Sequence, residues 1–182
     1  MRYPAAETAA KHSRIVDMAS RLFREKGFSD VSVAEIMKAT GLTHGPFYNH
    51  FPSKESLMAE AIRHASEAAL KELEATPSSE AGKRAYRSNY LSAAHRDHPE
   101  DGCLLAALPS EIAREPAVKS AVTNYVKTKI DMMSSHFPWT TRRKARGETI
   151  RMLVSMVGAL VLARAVDDDD LSREILEEAA RQ

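Results

Sequence analysis

The chain has 182 residues, of which 43% are hydrophobic, enough to bury a core in about one to one and a half domains of ordinary size. Charged residues make up 28% and glycine and proline are scarce, which excludes a disordered or collagen-like chain and favours helices. The formal net charge of +1 gives no strong global pull toward nucleic acid or membrane, although a local patch can hide in that sum and a dimer doubles any patch it carries.

Ile15, Met18, Ala19, Leu22 and Phe23 recur at helical spacing, so a first helix buries one face and stops at Gly27. Ser32-Val33-Ala34-Glu35 reads as a capping box that opens a second helix running to about Ala39. Thr40-Gly41-Leu42 is a tight turn, and Thr43 is placed to cap a third helix with Pro46 in its first turn and Phe51-Pro52 at its end. Ser53 caps a longer fourth helix over residues 54–75, and Thr76-Pro77-Ser78-Ser79 breaks it. A helix over residues 80–97 follows, then the loop His98-Pro99-Glu100-Asp101-Gly102. Residues 103–113 read as a short apolar helix and residues 116–137 as a long one. Residues 141–166 form another, and the Asp167 to Asp170 run caps a last helix to the C-terminus. No segment alternates like a strand, so the expected class is all-α with about nine helices. Residues 1–52 form a small N-terminal unit and residues 53–182 a larger bundle.

Cys103 is the sole cysteine, so no internal disulfide forms, which fits a reducing compartment. Residues 1–10 lack the apolar core of a secretory leader. The apolar run over residues 152–166 contains Ser155 and Arg164 and falls short of the roughly 20 residues a span needs. A cytoplasmic protein without a membrane partner is expected.

Two short helices joined by a glycine-containing turn make a helix-turn-helix, in which the second helix enters the major groove and the first braces it. The residues around it are more specific than that outline. Ile15…Ala19…Leu22-Phe23…Gly27-Phe28 is followed by Ser32-Val33-Ala34-Glu35-Ile36 and Gly41-Leu42. Phe47-Tyr48-Asn49-His50-Phe51 and Ser53-Lys54-Glu55-Ser56-Leu57 complete the series. Residues 15–62 resemble the DNA-binding domain of the TetR (tetracycline repressor) family of transcriptional regulators. The remainder is similar in helical layout alone.

That resemblance implies DNA contacts from Ser32, Val33, Thr43, His44, Gly45, Pro46, Tyr48, His50 and Lys54. His44 can hydrogen-bond a base edge, Gly45 admits close backbone approach, and Pro46 offers apolar contact to a thymine methyl. Ser32, Tyr48, His50 and Lys54 are the family's phosphate-gripping positions, and such contacts place the protein without reading sequence. The third helix carries no Arg or Lys, and charge over the first sixty residues is nearly balanced, so one subunit is expected to bind modestly.

On the helix over residues 141–166, Ile150, Leu153, Val154, Val157, Leu160 and Val161 form one apolar stripe. Met152, Met156, Ala159 and Ala163 form a second. A helix apolar on two sides must bury both. The resemblance implies a homodimer through the last two helices, whose paired recognition helices read a palindrome with half-sites roughly 34 Å apart. It also implies a small-molecule effector among the bundle helices, with Tyr86, Tyr90, Cys103, Leu104, Leu108, Met133, Phe137, Trp139 and Met156 as candidate lining. By the same resemblance the unliganded dimer blocks transcription, and the effector moves the fourth helix to release DNA.

Cys103 opens a short helix, and Gly102-Cys103-Leu104 is similar to the entry of that helix in electrophile-sensing members of the family. A thiol-sensing repressor is therefore an alternative. A ligand-binding module without DNA recognition is another. An enzyme is not expected, because nothing orients His95 or His98 as a base for Cys103. The histidines lack paired ligand spacing, so neither metal nor cofactor is expected.

Overall fold

The computed structural model describes residues 5–43 and 45–181; among these the chain is helical with no strand. The first helix, α1 (Ala5–Lys26), buries Ile15, Val16, Ala19 and Phe23 on one face and ends with Arg24 and Lys26 beside its negative pole. Gly27 stops it with φ +91° and sends its N–H to Phe23 O at 2.8 Å. In α2 (Val33–Ala39), the Ser32 hydroxyl accepts from Glu35 N at 3.1 Å, the cap expected there. The Glu35 carboxylate pairs with Lys26 at 2.8 Å; that bond, with the Ser32 N–H adding to it, holds its carboxyl below the ordinary range. Gly41, at φ +70°, closes α2. Its N–H meets Lys38 O at 3.0 Å and the Leu42 N–H meets Met37 O at 2.9 Å, a Schellman ending.

The third element departs from expectation. It is a 3₁₀ segment over Gly45–Asn49 and not a full α-helix reaching Phe51. Gly45 has poor helix propensity and Pro46 lacks an N–H to propagate it. Tertiary anchoring replaces propensity here, because Phe47 and Phe51 are buried on either side of the turn.

α3 (Lys54–Ala75) starts on the Ser53 cap, as expected. The helix expected over residues 80–97 is broken into α4 (Glu80–Tyr90) and α5 (Ala93–Asp97). Ser92 is the cause: its backbone is extended and its hydroxyl caps His95 N at 3.2 Å, restarting the helix while Leu91 turns into the core. A 3₁₀ turn over Pro99–Asp101 leads to α6 (Leu104–Ala107) and α7 (Pro109–Arg114). The expected single helix over residues 103–113 divides at Pro109, whose ring blocks continuation. α8 (Pro116–His136) matches its expected span, while α9 (Ala145–Ala165) starts later because Thr141 to Lys144 form a capped turn. Asp168 caps α10 (Asp169–Arg181), accepting from the N–H groups of Asp170 and Leu171 at 3.0 Å.

α3 is the central beam, lying along α1 and α8, and α9 packs between α8 and α10. Two apolar clusters meet along it. The first gathers Phe23, Ile36, Phe47, Phe51, Leu57 and Ile62 and runs on into Leu104, Leu108 and Val118 of the bundle. The second gathers Leu73, Tyr86, Tyr90, Met133, Phe137, Met156, Leu160 and Leu176. Polar ties add to the first cluster. The Glu111 carboxylate of α7 accepts from Phe28 N at 2.9 and 3.0 Å and from Ser29 N at 3.2 Å. The Arg24 guanidinium donates to Glu100 O at 2.8 and 2.5 Å, and Arg21 pairs with Asp101. The N-terminal helices are thereby fixed to the segment that follows α5. No helix among the described residues is long and apolar enough to cross a membrane.

Candidate nucleic-acid interface and effector cavity

The surface around residues 32–54 is built on buried aromatics. Phe47 is fully buried and Phe51 nearly so, with ring centroids 5.6 Å apart. His12 of α1 stacks on Phe51 at 4.5 Å and bonds Glu60 through Nε2 at 2.5 Å. Between these anchors Tyr48 projects outward, 63% exposed, its ring set edge-on to Phe47. Thr43 and Gly45 are exposed, Pro46 and His50 half-buried, and Ser32 exposed at the start of α2. Val33 is half-buried and packs on the first cluster. His44 lies outside the described residues. Burial, with His12 and Lys11 adding, lowers the His50 pKa from its ordinary value.

Lys54 has a structural partner that the sequence did not reveal. Its ammonium donates to Phe28 O at 2.5 Å and so ties the loop after α1 to the start of α3. Arg14 was also missed as part of this surface. Its guanidinium lies over the α2 turn, with Nη2 3.8 Å from where a Cβ on Gly41 would sit. Gly45 differs from Gly41: its φ is not positive, and a Cβ there would meet nothing within 4 Å. The fold does not require a glycine at that exposed position.

Of the candidate lining residues, Tyr86, Tyr90 and Cys103 come together around a cavity of about 330 Å³. It lies between α3, α4, α5 and α8, with Arg24 of α1 and the Asp101-Gly102-Cys103 turn at one side. Trp139 and Met156 line a separate cleft of about 500 Å³, with Lys83, Arg87, Glu148 and Arg151. Leu104 and Leu108 belong to the first apolar cluster, and Met133 and Phe137 are buried in the second.

The cavity also holds residues not among the candidates: His95, Tyr125 and Lys129. Lys129 is only 2% exposed. Its Nζ donates to the Tyr125 hydroxyl at 3.1 Å and sits 5.4 Å from the Tyr125 ring centre and 5.7 Å from that of Tyr86. No carboxylate among the described residues pairs with it; Glu72 and Asp101, which also line the cavity, are exposed at its rim. Burial lowers the Lys129 pKa, and its interactions with Tyr125, Tyr86 and Cys103 raise it by more. Burial raises the Tyr90 hydroxyl well above its ordinary pKa, with the Cys103 thiol beside it adding, and no stronger hydrogen-bond partner reaches Tyr90 Oη. The signal for Lys129 was in the sequence. Val118, Val122, Tyr125, Lys129 and Met133 fall on one helical stripe, so a lysine occupies a position where the period calls for an apolar residue.

His95 is wired on both ring nitrogens. Nδ1 donates to Tyr90 O at 2.7 Å, and Nε2 accepts from Cys103 N at 2.9 Å, which requires the neutral ring. Burial lowers its pKa accordingly. Cys103 itself is 7% exposed and begins a helix of four residues, a poor setting for a reactive thiol.

On the opposite side of the bundle, α9 turns Leu153, Met156, Leu160 and Ala163 inward. Val154 is 65% exposed and Leu162 57%, and Ile150 and, on α10, Leu171 are exposed as well. The division of α9 thus differs from the two expected stripes: Leu153 and Leu160 join the methionine side, and the outward face is Ile150, Val154 and Leu162.

Comparison with known proteins bears on both halves of the chain. The family described as bacterial regulatory proteins, tetR family, matches residues 15–61 through its N-terminal domain. The HTH-type transcriptional repressor KstR2 of Rhodococcus jostii is 40% identical over 63 residues, 33% of this chain and 31% of that protein. The HTH-type transcriptional regulator AcrR of Shigella flexneri is 43% identical over 68 residues, 37% of this chain and 31% of that protein. The match thus spans about a third of the length of these curated relatives. Among solved structures, the reduced form of E. coli NemR shares the fold over 94% of both chains, with a TM-score of 0.79 at 18% identity. A TetR-family regulator from Agrobacterium tumefaciens does so over 95% of this chain and 97% of its own, with a TM-score of 0.74 at 24% identity. Residues 15–61 thus match the N-terminal domain of the tetR family of bacterial regulatory proteins, and about 95% of the chain shares the fold of these two solved structures.

Proposed function

We propose that the protein is a DNA-binding transcriptional repressor that grips a palindromic operator as a homodimer and releases it when a small molecule fills the bundle cavity. The observation that carries this reading is the exposed Gly45–Asn49 segment, mounted on buried Phe47 and Phe51 with Tyr48 projecting between them. In a helix-turn-helix this element enters the major groove. Ser32 and His50 flank it and Tyr48 projects from it as phosphate contacts, with Arg14 supplying positive charge over the turn. Lys54 contributes a charge already steered by Phe28 O.

Dimerisation rests on the outward face of α9 and α10. Val154, Leu162, Ile150 and Leu171 form an exposed apolar surface of the kind that marks an interface. A two-fold axis there gives two half-site readers, which offsets the modest charge of each. Release follows from where the cavity sits. Its lining includes Arg24 of α1 and the turn Asp101-Gly102-Cys103, and the same region is tied to α1 by Arg24–Glu100 and Arg21–Asp101. A ligand that binds better when these elements are displaced shifts the spacing of the two readers by its differential affinity.

The test is a footprint on the DNA upstream of the protein's own gene, repeated as salt is raised. A protected palindrome is expected, with affinity falling steeply as phosphate contacts are screened. Absence of protection on every fragment at low salt overturns the reading.

A further inference from the structure

We infer that the cavity takes a small organic acid, its anionic head received by the Lys129 ammonium and the Tyr90 hydroxyl and its apolar body lying against the rings of Tyr86 and Tyr125. This rests on reading the cavity as the effector site and names the class of molecule it takes.

The argument starts from the charge. An ammonium 2% exposed is costly to bury unless an opposite charge meets it, and none of the described carboxylates does. Lys129 has three N–H donors, of which the Tyr125 hydroxyl takes one and the Tyr86 hydroxyl is in reach of another, leaving one for a ligand. A second donor faces the same space: the Tyr90 hydroxyl is buried with only the weak Cys103 thiol in reach, and burial keeps its proton on. The nearby acceptors are occupied: Tyr90 O by the His95 ring, and the carbonyls of His95 and Arg96 by the Arg164 guanidinium. The interior thus has a surplus of donors and one unneutralised positive charge, the complement of a single carboxylate. The carboxylates of Glu72 and Asp101 stand at the exposed rim, so they do not answer it from within.

The remaining walls set the body of the ligand. Ala65, Ala68 and Ala69 of α3 and the ring faces of Tyr86 and Tyr125 are apolar. At about 330 Å³ the space lies at the low end of the range for ligand sites, roughly 300–1,000 Å³, so the ligand is small. A cationic ligand is disfavoured by Lys129 and Arg24. A phosphate dianion fits less well, since the Arg24 guanidinium is already turned to Glu100 O and Ser20 Oγ and Lys129 alone leaves half the charge unmatched.

The experiment uses the full chain and three acids, phenylacetate, cinnamate and octanoate, each against its own neutral amide. Melting temperature and calorimetric titration are read together. At least one acid is expected to raise the melting temperature and to bind about tenfold or more tightly than its amide. Lys129→Met should fold, since it replaces a buried charge by an apolar side chain of similar length, and should lose the preference for the acid. Lys129→Arg, which keeps the charge, should retain most of it. Amides that bind as well as their acids, a Lys129→Met protein that keeps the preference, or no response to any of the acids overturns the inference. A footprint on the same samples separates this from the regulatory reading. An acid that binds without releasing DNA leaves the ligand class standing and overturns the effector role. DNA binding with no response to any acid overturns the ligand class alone.

Discussion

Gly45 is the residue at which fold and proposed function separate most cleanly. A methyl group there meets no atom of the described chain within 4 Å, and the backbone is not in the left-handed region. Gly45→Ala is therefore expected to leave stability unchanged or to raise it by up to about 1 kcal/mol through helix propensity. Its effect on DNA is expected to be opposite. A Cβ where the backbone approaches the groove should weaken operator binding by about 1–3 kcal/mol, the scale of one base contact. Urea unfolding and a gel shift on the same protein check both halves. Equal operator affinity in the two proteins would remove Gly45 from the interface. His95 gives a prediction in pH. Its folded pKa is lowered from the ordinary 6.5 by burial, so the unfolded chain takes up the proton first. Its contribution is fully present above about 6.5 and is lost as pH falls toward the depressed folded value. The urea midpoint of the native protein should drop between about pH 7.5 and about pH 5.5, and His95→Gln should drop less. Parallel curves for the two proteins would assign the pH response elsewhere.

Single contacts become consequential when they join elements. The Glu111 carboxylate on α7 is the acceptor for two backbone N–H groups at the end of α1, and Gly27 leaves room for it: a Cβ there would lie 2.7 Å from Glu111 Oε2. Glu111→Gln keeps the shape and removes the charge and one acceptor oxygen. The expected loss is about 1–3 kcal/mol, from one N–H left without a strong partner. Hydrogen exchange should localise the loosening to the loop after α1; a uniform change across the chain would deny Glu111 its local role. The Gly45–Asn49 segment shows a related dependence. Five residues of 3₁₀ helix have little stability of their own, and Phe47 and Phe51 hold them in place from beneath.

On the proposed function, association is the property of the whole molecule on which operator binding turns. The face carrying Val154, Leu162, Ile150 and Leu171 is exposed in the single chain. Val154→Glu is expected to leave the fold intact, since the side chain is 65% exposed, and to yield monomers in sedimentation. Operator affinity should then fall by about 10²–10⁴, the usual advantage of linking two weak sites. A Val154→Glu protein that remains dimeric would place the interface on another face.

The amino-acid sequence by itself determined the helical class, the order of the elements and the helix-turn-helix, because those depend on local matters: apolar spacing, Ser32 and Ser53 as caps, Gly27 and Gly41 as stops. It also brought Tyr86, Tyr90 and Cys103 into view as candidate lining residues. Tertiary structure decided the breaks at Ser92 and Pro109, the 3₁₀ form of residues 45–49, and the partners of Lys54 and His95. It also decided which face of α9 is left uncovered, since a helix apolar on every side carries no local record of which side its neighbours take. Lys129 marks the boundary between the two. Its place on an apolar stripe was written in the sequence, but only the packing of α8 against α3 and α4 turned a misplaced lysine into a buried charge facing a cavity.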